Sequence, residues 1–173
     1  MNESTEREKE LNSELLPLTR EFRNRIAAEQ QRLLQQAGAK ALDFLLDSSK
    51  TEARQEALYL NSEAVGIGMA LGYYDTGVRM HHSFSGIVTG QKFIEETLQS
   101  VTSCKEFAIK EAQELSLQQI LKKNGSKEAE ELREKALGRH YEAKGVEFVQ
   151  VQLQETFADI RAQFAAIPKP ATL

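Results

Sequence analysis

Tyr74, Asp75, Arg79, His81 and His82 fall within one stretch of nine residues. A phenol, a carboxylate, a guanidinium and two imidazoles at that density are the side chains of acid–base chemistry, of metal ligation or of an anion pocket. Around them, residues 58–90 hold six of the chain's ten glycines, three of its four tyrosines and two of its three histidines. Two explanations compete: a ligand site around residues 66–82, or a joint between helices. On a helix, adjacent side chains point about 100° apart, so His81 and His82 converge on one ion only if this region is a loop. A carboxylate-bridged di-metal bundle needs Glu-x-x-His on two helices. This sequence has none, and it lacks His-Glu-x-x-His and paired-cysteine motifs as well. No metal and no cofactor are expected.

Other chemistry fares similarly. Cys104 sits between Val101 and Ala108 on an apolar helical stripe, where a thiol fills space; a nucleophile needs exposure and a lowered pKa. Gly66-x-Gly68 resembles a dinucleotide fingerprint only in its first two positions, with no strand before it and no third glycine in register. No catalytic residue is assigned. Arg20, Arg23 and Arg25 make the first segment rich in guanidinium and are candidate nucleic-acid contacts, as are the cations around Lys122 and Lys123. Acidic residues are mixed into both regions, and a net charge of −4 with a pI near 5.5 lacks the basic footprint of a nucleic-acid binder.

The elements that carry these residues are helices. Composition favours them: 7% aromatic, no Trp, and prolines only at 17, 168 and 170. Leu15, Leu18, Phe22, Ile26, Leu33, Ala37, Ala41 and Leu45 recur at helical spacing, which predicts a first helix from about residue 14, with Pro17 in its first turn, to Asp47. Ser49 and Glu52 have the spacing of a capping box for the second. That helix carries Ala53, Ala57, Leu60, Ala64, Ile67, Leu71 and Tyr74 on one face and Leu58, Val65, Met69 and Tyr73 on another, so it is expected to be buried on most sides. The third starts near Gly90, carries Ile94, Val101, Cys104 and Ala108, and stops at Lys122-Lys123-Asn124-Gly125. Ser126 is placed to cap the fourth, whose seam runs Leu132, Ala136, His140, Ala143, Val146, Val149, Leu153, Phe157, Ile160, Phe164 and Ile167 up to Pro168.

Four helices of 30 to 40 residues joined by short turns imply an all-α antiparallel bundle with short connections. The expected organisation is a flexible charged arm at 1–13, one bundle domain at 14–167 and an extended tail at 168–173. No apolar run reaches the ~20 residues that span a bilayer, a single cysteine precludes an internal disulfide, and the polar N-terminus is no secretory signal, so cytoplasm is the expected location. On the second helix, Ala64, Gly68 and Gly72 form one small-residue row, and Ser62, Gly66 and Ala70 form another. Helix four has a second apolar face, with Tyr141, Phe148 and Val151. Gly66, Gly68, Gly72, Tyr73, Tyr141, Phe148 and Val151 are therefore the candidate interface. The expected function is non-enzymatic association with copies of itself or with another protein.

Overall fold

The computed structural model describes residues 3–83 and 89–168. Within them the chain forms α1 (Glu3–Leu46), α2 (Thr51–Ser83), α3 (Gly90–Ile120) and α4 (Lys127–Ala165), with no strand among the described residues. At 1.5 Å per residue these helices are about 46 to 66 Å long. Sequential neighbours run antiparallel. Lys40 meets Glu56 and Arg23 meets Asp75 across α1 and α2, while Lys105 meets Glu147 and Arg139 meets Glu111 across α3 and α4. The all-α antiparallel bundle expected from the sequence is thus the observed fold.

Several local starts and stops follow the expected signals. Ser126 caps α4 as expected, its side chain accepting from a backbone N–H three residues on; Thr89, which no expected signal marked, caps α3 in the same way. Gly125, at φ 75°, takes the left-handed turn between α3 and α4. Other signals were misleading. The residues expected to form a flexible arm at 1–13 are helical from Glu3, and Leu11 and Leu15 are fully buried in the core. Burial of that first apolar step outweighs both the charged flanks and Pro17, which sits on the exposed side deep inside α1 rather than in its first turn. The capping box does not form. Ser49 instead donates from its amide and hydroxyl to Asp47 Oδ1, closing the turn, and α2 begins at Thr51. Residues 75–90, which the sequence leaves open between loop and helix, are helix as far as Ser83 and again from Gly90, whereas 84–88 and the expected tail beyond Pro168 lie outside the described residues.

α2 and α4, the diagonal pair, run parallel and meet at the bundle centre. A β-carbon at Gly66 would lie 2.0 Å from the Glu142 carbonyl oxygen, and one at Gly145 would lie 2.1 Å from that of Glu63. Only glycine permits two helix backbones to approach this closely. The close diagonal pushes α1 and α3 to opposite flanks, where they scarcely touch. Toward Ser83 the space between the helices is filled by one ring from each: Phe22, Tyr74, Phe93 and Phe157, with centroids 4.7 to 6.5 Å apart. This closed half holds nearly the whole core. Beyond it, along residues 34–46, 51–63, 109–120 and 127–142, the only buried apolar residues described are Ala37, Ala129 and Ala136.

Candidate interaction surface

The five residues that suggested a ligand site are not brought together. Tyr74 points into the core, where its hydroxyl donates to the Thr19 carbonyl at 2.8 Å, and burial pushes its pKa well up. Asp75 turns toward α1 and accepts from Arg23 Nε at 2.8 Å and Nη2 at 3.1 Å. That paired carboxylate raises the Arg23 pKa through hydrogen bonding first and charge second. Arg79 folds back along its own helix onto the Asp75 carbonyl oxygen and the Thr76 hydroxyl. His81 stacks on Phe93 at 5.4 Å, and His82 is exposed. The nearby groove of about 280 Å³ between α2 and α3 is lined by Tyr73, Thr76, Gly77, Met80 and Phe93, and by none of the five. No group of three or more potential metal ligands occurs among the described residues.

The arginine candidates are also divided. Arg23 is paired with Asp75, Arg25 donates to the Thr156 hydroxyl on α4, and Arg20 is exposed. Two of the three therefore tie α1 to its neighbours. Cys104 is buried, and desolvation raises its thiol pKa, aided by the charge of Glu142. His140, expected on the α4 seam, is exposed instead.

The candidate interface residues sort into inner and outer sets. Gly66 is consumed inside the chain by the α2–α4 contact, so it is a joint. Gly68 faces the side chain of Gln30, which donates to the Ala64 carbonyl, and Gly72 faces open space. Tyr141 stacks on Tyr59 at 4.3 Å beneath the Lys144 ammonium, locking α2 to α4, and Phe148 packs against the core. Tyr73 and Val151 are exposed, as are Leu58 and Val65, so the second face of α2 is largely open rather than buried on most sides.

The larger apolar surface lies elsewhere, at the end of the bundle that carries the α1–α2 and α3–α4 turns. Leu42, Leu45 and Leu46 at the end of α1 and Leu117, Ile120 and Leu121 at the end of α3 are between 55% and 84% exposed. Leu45, expected to continue the buried stripe of α1, belongs to this set. Two grooves open beside it. One of about 770 Å³ lies between α3 and α4, lined by Ile109, Ala112, Leu117, Ile120, Ala136 and Leu137. Another of about 490 Å³ lies between α1 and α2, lined by Leu34, Ala37, Ala41, Phe44, Leu45 and Leu58. Arg54–Glu134 and Tyr59–Tyr141 hold α2 against α4 here, while α1 and α3 lie apart. Among the described residues, the apolar side chains at the ends of α1 and α3 have no buried apolar partner larger than alanine in this half. No family model, curated protein or solved structure matches the chain. No helix among the described residues is long and apolar enough to cross a membrane.

Proposed function

We propose that this protein acts by protein–protein association, as a homo-oligomer or as a helical subunit of a larger complex, and not by catalysis. The open end of the bundle is the surface that associates. One observation carries this reading: six large aliphatic side chains are mostly exposed at one end of a molecule whose other half is well packed. Fully burying such a side chain is worth roughly 1.5–3 kcal/mol. Six of them are of the same order as the roughly 4–15 kcal/mol lost in freedom on association. Contiguous apolar patches of this kind mark interaction sites in folded proteins. The engagement of Tyr74, Asp75 and Arg79 in contacts within the fold supports a non-catalytic role.

Amine crosslinking in the cells that make the protein tests the reading. The unaltered chain is expected to give adducts heavier than its 19.5 kDa mass. A variant with Leu45→Ser, Leu46→Ser, Ile120→Ser and Leu121→Ser is expected to lose them while keeping its helix content, since none of these residues belongs to the core. Absence of any heavier adduct from the unaltered chain sinks the proposal.

A further inference from the structure

We propose that residues 3–16, the first part of α1, form a strap that opens and closes as a unit about Pro17 while the rest of the bundle stays folded, and that its opening uncovers a second apolar surface on the ends of α3 and α4. The inference is independent of the association reading, because it concerns the closed half and needs no partner.

The strap ends where the backbone of α1 is weakest. Pro17 has no N–H to give the Ser13 carbonyl, and its ring crowds that oxygen, so the helical ladder lacks a rung between the strap and the remainder of α1. Immediately beyond, the helix is anchored: Thr19 is buried, its carbonyl accepts from the Tyr74 hydroxyl at 2.8 Å, and Phe22 is wholly enclosed. Before Pro17 the hold is thin. Of residues 4–16 only Leu11 and Leu15 are buried. Among the described residues, one side-chain hydrogen bond ties the strap to another helix, from the exposed Arg7 Nη2 to Gln163 Oε1 at 2.6 Å.

What the strap covers is apolar. Asn12 and Phe164 both stand against the place where a β-carbon of Gly90 would lie, so the strap crosses the first turn of α3 and the last turns of α4. Leu11 and Leu15 join Ile94, Ile160 and Phe164 in one buried cluster. Asn12 Oδ1 is buried there without a hydrogen-bond partner, so closing the strap takes this oxygen out of water with nothing in exchange. Docking therefore sets the burial of two leucines against an unpaired amide oxygen and a proline inside a helix. An isolated helix of about 14 residues is marginal in water, so a strap that leaves this surface also melts. The anchor at Thr19 and Phe22 stops the melting from spreading, which makes residues 3–16 one local opening unit rather than a fraying end.

Hydrogen exchange of the full-length chain, read residue by residue by NMR, is the test. In α1 the amides of residues 7–20, Pro17 aside, bond to carbonyls of residues 3–16. Opening as a unit gives them one common protection level, below that of residues 98–108, with a step up at Glu21 and Phe22. Fraying gives a gradual rise without a step, and that result overturns the proposal, as does protection over 7–20 equal to that over 98–108. Pro17→Ala restores the missing rung with the best helix former and is expected to slow exchange over 7–20 at least about tenfold; unchanged rates remove Pro17 as the hinge. Leu11→Ala weakens the closed strap. Residues 7–20 then lose protection, residues 98–108 and 146–153 remain protected, and the variant binds an apolar dye more strongly than the parent. Loss of protection in all three spans makes residues 3–16 integral to the bundle and overturns the strap, and dye binding equal to the parent's overturns the uncovered surface.

Discussion

At the scale of single residues, Tyr74 and Asp75 show how chemically suggestive side chains become structural. The Tyr74 ring is one of four that fill the closed half, and its hydroxyl is satisfied by the Thr19 carbonyl. Burial raises its folded pKa above that of the unfolded chain, so the neutral phenol is favoured in the fold. Its contribution to stability is fully present below about pH 10 and is lost as pH rises beyond it. Tyr74→Phe should cost about 1 kcal/mol at neutral pH through the lost hydrogen bond. Its stability should then fall less steeply than that of the parent in urea titrations between about pH 8 and pH 11; parallel curves would remove Tyr74 as the alkaline trigger. Asp75 contrasts with it. Its pairing with Arg23 is geometrically good but half exposed. Asp75→Ala is therefore expected to shift stability by less than about 1 kcal/mol, as read by thermal unfolding. Nothing in the residue types distinguishes these fates. The cluster was legible as a place of note, while the direction of each side chain depended on which face of α2 met α1.

At the scale of elements, the glycines of α2 separate into those that set the fold and those that do not. A methyl group at Gly66 or Gly145 would collide with backbone carbonyl oxygens of the other helix, which have no free rotamer to retreat into. Gly66→Ala and Gly145→Ala should each destabilise by at least about 2 kcal/mol. Gly72→Ala meets nothing within 4 Å and should stabilise by about 0.5–1 kcal/mol, through helix propensity. Chemical denaturation of the three variants checks both signs, and a neutral Gly145→Ala would remove the backbone contact as the organiser of the bundle. The density of small residues on α2 was readable, as were the four helices, Thr89 aside, and the stops at Gly125 and near Pro168. The partner glycine was not. Periodicity assigns residues to a face of their own helix, but it does not say which face of α4 arrives opposite, so Gly145 passed unnoticed and Gly66, which meets α4, was grouped with Gly72, which meets nothing within the described fold. The early start of α1 was hidden for a related reason: Leu11 lies four residues before Leu15 on the same stripe, yet a charged context and Pro17 looked like a boundary.

Across the whole molecule, stability is distributed unevenly along the bundle axis. The closed half carries the four rings and the aliphatic core from Leu11 to Phe164, whereas the open half is held by alanines, by the Tyr59–Tyr141 stack and by the exposed Arg54–Glu134 pair. Regions with few buried apolar contacts open locally at a fraction of the global cost. In hydrogen exchange on dilute protein, amides over residues 93–108 and 146–160 should be the slowest, and those over 40–58 and 112–130 markedly faster, although all four spans are mainly helix. Helical hydrogen bonding alone would give the four spans similar rates, and uniform protection would refute the division into two halves. Raising the protein concentration supplies the other half of the test. If copies of the chain associate through the open end, protection should grow at 40–58 or 112–130 and leave the closed half unchanged. Growth confined to the closed half is incompatible with association through the open end, because the aliphatic side chains that such a contact would bury lie at the ends of α1 and α3.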